Sequence, residues 1–368
     1  MGNCFAISLS ETKGERSMKE NIGVIFGGCS SEYGVSLHSA SAVIKNLDRE
    51  KYNLILIGIT GKGDWYYFEG AEENIENDTW FNEADCTPVC ILPNKNDRKM
   101  LVYKDGKVTK EICLDKAFPV LHGKNGEDGT VQGLLELAGI PVVGCNLLSS
   151  AICMDKYCAH KLVEGVGVRV AKSAVFSDTV PMDLIMEDVD ALVKETGFPV
   201  FVKPVKAGSS YGITKVYKKE MLSDAVKSAF EFDNQVIIEE NIEGFEVGCA
   251  VMGNEDLTVG EVDEIELSKG FFDYTEKYNL ITSAIHVPAR ISVEKAEKIK
   301  KTAMLIYRVL GCCGFARVDM FLTPDGEIVF NEVNTIPGFT EHSRFPGMMK
   351  ARGISFSQIL DTVIGLAK

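Results

Sequence analysis

Residues 315–334 read Phe315-Ala316-Arg317-Val318-Asp319-Met320-Phe321-Leu322-Thr323-Pro324-Asp325-Gly326-Glu327-Ile328-Val329-Phe330-Asn331-Glu332-Val333-Asn334. Thr323-Pro324-Asp325-Gly326 is a turn signal between two strand-like runs, so the segment predicts a hairpin. Alternation along a strand sets Arg317 and Asp319 on one face, and Glu332 and Asn334 on one face of the partner. Val318, Met320, Val329 and Val333 fit a buried opposite face. Two carboxylates and an amide oxygen converging on one sheet face make a hard-cation site, apt for Mg²⁺ that also meets phosphate. A solvent-facing polar strand is the alternative for this segment alone.

Upstream of the hairpin, Ile299, Ala303, Ile306, Tyr307 and Leu310 recur at helical spacing. At the other end of the chain, the apolar run Ile22–Phe26 is closed by Gly27-Gly28. A helical stripe (Val35, Ala40, Val43, Ile44, Leu47) and a second apolar run, Leu54–Ile59, follow. Strand, glycine-bearing loop, helix, strand is the pattern of a βαβ unit and a parallel sheet. Ala117–Leu121 repeats the theme before the glycine-rich stretch 122–129. The middle of the chain predicts helices over Ser149–Val163 and Asp183–Thr196, with strands at Val170–Phe176, Val200–Lys203 and Ile213–Val216. Residues 261–288 read as a long polar loop, a candidate lid. The expected organisation is α/β and α+β: an extension at 1–17, an N-terminal parallel α/β unit at 18–144, a small central unit at 145–238, and a C-terminal α+β unit at 239–368. Residues 1–17 do not read as domain and are expected to be disordered, Met18 being the natural start of the folded part.

Three further segments carry chemistry. Gly27-Gly28-Cys29-Ser30-Ser31-Glu32 follows a strand and sits where a sheet's carboxyl end meets a ligand. It lacks the GxGxxG dinucleotide fingerprint. Lys203-Pro204-Val205-Lys206-Ala207-Gly208-Ser209-Ser210 offers a cation with backbone and hydroxyl donors, phosphate-binding chemistry without P-loop spacing. A surface loop is equally compatible with that stretch. Asn334-Thr335-Ile336-Pro337-Gly338 brings a backbone donor near the hairpin's polar face.

The 368 residues include 53 acidic and 39 basic side chains, a formal net charge of −14. That balance disfavours nucleic acid or anionic membrane as a partner. Hydrophobic residues at 45% and charged ones at 25% are ordinary for globular domains. The 11 cysteines show no CxxC spacing and no accompanying histidine cluster, which argues against zinc and for reduced thiols in a cytoplasm.

Taken together, these segments resemble the D-alanine–D-alanine ligase family, whose fold is the ATP-grasp. The resemblance runs over residues 22–364 in order. It takes in Gly27-Gly28 with Ser31-Glu32, His122-Gly123 with Gly126-Glu127-Asp128-Gly129, and Met154-Asp155-Lys156. It continues through Lys203-Pro204, Gly208-Ser209-Ser210, Asp273-Tyr274 with Lys277-Tyr278, Arg317-Val318-Asp319, Asn331-Glu332-Val333-Asn334 and Pro337-Gly338. Within the family it is most similar to the G-type vancomycin-resistance ligases, which join D-alanine to D-serine.

The resemblance implies roles residue by residue. Lys156 and Lys203 would hold ATP phosphates, joined by Ser209, Ser210 and Lys277. Glu239, Glu240, Ile242 and Glu246 would bind adenine and ribose. Asp319, Glu332 and Asn334 would ligate two Mg²⁺ or Mn²⁺ ions. Glu32 would take the ammonium of the first D-alanine with His122 nearby, and Ser209 and Tyr278 would complete a trio with Glu32. Arg317 and the Gly338 N–H would stabilise the oxyanion, and Ser343 would contact the second substrate's carboxylate. D-alanine, D-serine and ATP are then the small-molecule partners, and a homodimer the expected assembly. Two positions depart from the ordinary pattern. Arg344 stands where D-alanine-adding enzymes carry leucine, either donating to a serine hydroxyl or pairing outward to solvent. Gly34 replaces the usual glutamate. Lys277-Tyr278 is retained, whereas relatives making D-alanyl-D-lactate lose it.

Overall fold

The structure, a computed structural model, describes residues 19–208, 211–267 and 283–368. Three sheets organise it. In the first, Glu20–Gly27 pairs in parallel with both Tyr52–Ile59 and Lys116–Pro119. Ile22, Val24, Ile25 and Phe26 are fully buried, because a central parallel strand is covered on both faces and so reads as a continuous apolar run. The helix Tyr33–Asn46 lays Leu37, Ala40, Val43 and Ile44 on that sheet. Four antiparallel strands, from Trp65–Phe68 to Lys107–Cys113, extend the parallel core. Their patterning did not stand out from the loops around them.

The second sheet is antiparallel and small: Thr214–Val216, Val200–Pro204, Gln235–Glu240 and Ser173–Ser177, in that order. Helices Met182–Thr196 and Leu222–Phe230 close its core. The third sheet centres on Phe245–Gly253, Phe315–Leu322 and Ile328–Asn334. The hairpin forms where its turn predicts, with Val318 and Met320 fully buried against Ile299, Ala303 and Ile306 of helix Val293–Val309. The register shift after Asp319 pairs Val329 with Phe321, so Val329, though buried, lies on the other face from the one expected.

Three details differ from the sequence reading. The helix expected over 149–163 is two, Leu147–Met154 and Lys156–Glu164. Asp155 breaks it by capping the second helix, accepting from the Cys158 N–H at 2.9 Å. Both helices pack on the third sheet, and Arg169–Val170 adds a short strand to that sheet's edge. Residues 145–170 therefore side with the C-terminal unit, and the strand Gln235–Glu240 lies wholly in the central one. The ends of the expected loop 261–288 are strands, Asp263–Leu267 and Ser283–His286, paired with each other.

Candidate active site

Two cavities meet above the hairpin. One, of about 700 Å³, is lined by Glu32, His122, Arg317, Asn334, Ser343 and Arg344. The other, of about 530 Å³, is lined by Lys203, Glu239, Glu240, Ile242 and Glu246. Lys156, Ala207 and Glu332 border both, so a group could pass from one to the other at that junction.

The far wall of the larger cavity comes from the first sheet. Glu32 sits at the start of helix Tyr33–Asn46, buried at the carboxyl end of Glu20–Gly27. Its backbone N–H donates to Ser30 Oγ at 3.1 Å, and Ser30 donates in turn to the His122 carbonyl at 2.7 Å. Gly123 has a φ of +73°, and a Cβ there would stand 2.4 Å from Glu32 Oε2. Only glycine allows the loop so close to that carboxylate. His122 is buried between Ser39 Oγ and the Ile336 carbonyl, each at 3.0 Å from a ring nitrogen. Two polar groups fix its ring at the cavity wall.

The floor is the polar face of the hairpin. Arg317 donates from Nε and Nη2 to both oxygens of Asp319 at 2.7–3.0 Å, and Asn334 Nδ2 donates to Asp319 Oδ2 at 2.9 Å. Glu332 stands opposite Asp319 in register. A bulge follows, leaving Asn331 unpaired between the ladder positions of Phe330 and Glu332. Among the described residues, no group of three or more histidine, cysteine, aspartate or glutamate side chains is gathered as a metal cluster. The hairpin supplies two carboxylates with an amide beside them, an oxygen donor set of the hard-cation type. Ser343 precedes helix Arg344–Ala351, and its Oγ lies 2.8 Å from Thr340 Oγ1.

Arg344 faces inward. Its Nε and Nη2 donate to the two oxygens of Asp263 at 2.7 and 2.9 Å, and Nη1 donates to Glu246 at 2.7 Å. Nη2 also lies 3.3 Å from Asp319 Oδ1. The group is 7% exposed, so the outward salt bridge is not what forms. Burial opposes its charge, but Asp263 and Asp319 outweigh that and hold it protonated far above the usual range. Gly248 makes room, since a Cβ there would lie 2.3 Å from Arg344 Nη2.

In the smaller cavity, Lys203 Nζ pairs with Glu239 Oε2 at 2.5 Å, and Lys156 Nζ donates to the Ala207 carbonyl at 2.8 Å. Burial alone would raise the Glu239 carboxyl, yet the Lys203 charge, with His160 and Lys156, brings it below the usual carboxylate range. The Glu240 carboxylate accepts from the Lys172 N–H at 2.9 Å, and Ile242 contributes apolar wall.

Residues 21–145 match the family model described as D-ala D-ala ligase N-terminus, and residues 162–365 the one described as D-ala D-ala ligase C-terminus. The chain belongs to the D-alanine–D-alanine ligase family. It is 55% identical to the VanG D-Ala:D-Ser ligase of Enterococcus faecalis, whose crystal structure superposes with a TM-score of 0.86 over 95% of this chain and 99% of that one. The vancomycin C-type resistance protein VanC1 of Enterococcus gallinarum is 43% identical, covering 95% of this chain and 98% of its own. A putative D-alanine–D-lactate ligase of Streptomyces coelicolor is 45% identical over 94% and 97%. As a member of the D-alanine–D-alanine ligase family, the protein is an ATP-dependent enzyme forming a C–N bond, with the ATP-grasp fold.

Of the residues the ligase resemblance singles out, Ser209, Ser210, Lys277 and Tyr278 lie outside the described residues, as does 1–17. The others line one cavity or the other, Asp319 excepted; it lies beneath, paired with Arg317. Asp263 was missed. It is fully buried and fixes Arg344, but it falls in the stretch taken for loop. The alternation Ile265, Leu267 against Glu264, Glu266 was the available strand signal.

Proposed function

We propose that the protein joins D-alanine to D-serine through a D-alanyl phosphate, producing a dipeptide for peptidoglycan precursors that weakens vancomycin binding. The observation carrying this reading is Arg344, buried at the rim of the substrate cavity and fixed bidentately by Asp263. With Nε and Nη2 turned to Asp263 and one Nη1 N–H to Glu246, a second Nη1 N–H remains to donate to a hydroxyl. An apolar side chain there would give no such donor. The likeness to a D-Ala:D-Ser ligase supports the same choice. Ordinary D-alanine–D-alanine ligation is the alternative.

In this reading Glu32 takes the ammonium of the first D-alanine, beside His122. Lys156 and Lys203 neutralise ATP phosphates, with Lys277, Ser209 and Ser210 joining them. Glu239, Glu240, Ile242 and Glu246 bind the nucleoside. Asp319, Glu332 and Asn334 would hold two Mg²⁺ or Mn²⁺ ions, which when bound neutralise charge on the transferring phosphoryl group. Arg317 and the Gly338 N–H stabilise the oxyanion formed when the second amine attacks the acyl carbonyl. Ser343 binds the second carboxylate, and Tyr278 with Ser209 would, as the family resemblance implies, complete the trio with Glu32. Excluding water there protects the acyl phosphate from hydrolysis. In this reading the protein acts in the cytoplasm as a homodimer. Among the described residues no helix is long and apolar enough to cross a membrane.

ADP release tests the chemistry. It should require D-alanine, and hydroxylamine should trap D-alanyl hydroxamate. ATP binding without D-alanine-dependent ADP release would mean a nucleotide-binding regulator instead.

A further inference from the structure

Strand Phe245–Gly253 presents Glu246 and Gly248 on one face, two residues apart. Arg344, the first residue of helix Arg344–Ala351, lies across that face. Gly248 pairs with Asp263 in register, and its N–H donates to Asp263 Oδ1 at 2.7 Å. The guanidinium therefore meets Asp263 along one edge, through Nε and Nη2, and Glu246 at the remaining corner, Nη1. Two bonds to a single carboxylate fix one edge of a planar group but leave it free to rock about that edge. A third bond at the far corner fixes the plane. The 2.7 Å contact from Nη1 to Glu246 Oε1 is that third bond. It sets the direction of the second Nη1 N–H, the one assigned above to the D-serine hydroxyl.

The two partners belong to different cavities. Arg344 lines the larger one and Glu246 the smaller one, so their hydrogen bond links the two directly. The Arg344 side chain is 6% exposed and that of Glu246 17%, which leaves the carboxylate as the end of the pair open to the nucleotide cavity. A sugar hydroxyl donating to that carboxylate holds it in place, and a fixed carboxylate in turn holds Nη1. A leucine at position 344 has no group to receive this link. We propose that Glu246 is a positioning residue for Arg344, coupling occupancy of the nucleotide's sugar site to the choice of D-serine as second substrate. This rests on the ATP and D-serine reading above and adds to it a link between the two sites.

D-Serine and D-alanine compete for the same D-alanyl phosphate. The ratio of D-alanyl-D-serine to D-alanyl-D-alanine at saturating nucleotide therefore reports the second-substrate subsite and not nucleotide affinity; mass spectrometry of the products measures it. For the full-length wild type, replacing ATP by 2′-deoxy-ATP or 3′-deoxy-ATP should lower the ratio about 2- to 5-fold with at least one of the two, the worth of a modest hydrogen bond. Glu246→Ala should lower it about 3- to 10-fold with ATP and make it the same for all three nucleotides. Glu246→Gln, whose amide oxygen still accepts from Nη1, should keep most of the ratio. A wild-type ratio unmoved by both deoxynucleotides would overturn the proposal, and so would a sugar dependence that survives in Glu246→Ala. Equal falls in Glu246→Ala and Glu246→Gln would make the charge rather than the bond the cause and would overturn it too. Absence of D-alanyl-D-serine from the wild type with ATP would instead overturn the D-serine reading, and absence of D-alanine-dependent ADP release the ATP reading, before any variant is compared.

Discussion

At Arg344, burial and charge pull against each other, and three carboxylates decide the outcome. Asp263 is fully buried and takes two of the guanidinium's hydrogen bonds. Arg344→Leu would strand that carboxylate, and breaking a buried pair from one side costs about 3–5 kcal/mol. The expected result is a marked loss of thermal stability together with a selective loss of D-serine use. Arg344→Leu with Asp263→Leu should recover much of the stability without recovering D-serine use. Glu32→Gln is the second prediction: removing the charge opposite a substrate ammonium should lower kcat/KM for the first D-alanine about 10- to 100-fold, leaving ATP affinity in direct binding unchanged. Legibility at this scale was uneven. Arg344 stood out because the residue type itself departs from the family's pattern. Asp263 did not, since its partner lies 81 positions away and nothing local announces the contact.

Among the elements, the break at Asp155 has a functional consequence. The cap ends one helix and starts the next with Lys156 in its first turn, aimed at the junction of the cavities. Asp155→Ala should cost about 1 kcal/mol of stability and raise the KM for ATP, while Asp155→Ser should do neither; thermal melts and initial rates check both. The cross-strand pair of Lys203 and Glu239 makes a prediction in pH. Glu239 has its folded-state value lowered, so its contribution is fully present above the ordinary carboxylate range and lost as pH falls through that lowered value. Lys203→Met should therefore destabilise the protein at pH 7, with the gap to wild type narrowing on acidification below about pH 4.3; parallel pH curves would contradict the pairing. The hairpin was legible because turn chemistry and a period of two agree over its whole length. Its bulge at Asn331 was not, because one extra residue changes the pairing without changing the composition. The strands at either end of 261–288 were hidden by acidic residues that serve a buried network.

For the whole molecule, the parallel α/β start and the α+β remainder were readable from element order. Where the central unit ends was not. Helices Leu147–Met154 and Lys156–Glu164 are amphipathic whichever sheet they cover, and only packing assigns them to the third. The acidic excess of the chain likewise says nothing of the site, where Lys156, Lys203 and Arg317 are gathered beside Glu32, Asp319 and Glu332. Because both cavities are bounded by more than one unit, ATP should bind the folded chain alone and stabilise it by about 2.7 kcal/mol at a hundredfold excess over Kd, read as a concentration-dependent rise in Tm. The central claim is the choice of second substrate. Incubating the enzyme with ATP, Mg²⁺ and equimolar D-alanine, D-serine and D-lactate, then resolving the products by mass spectrometry, tests it most directly. D-alanyl-D-serine should be the dominant product; a mixture led by D-alanyl-D-alanine or D-alanyl-D-lactate would contradict it.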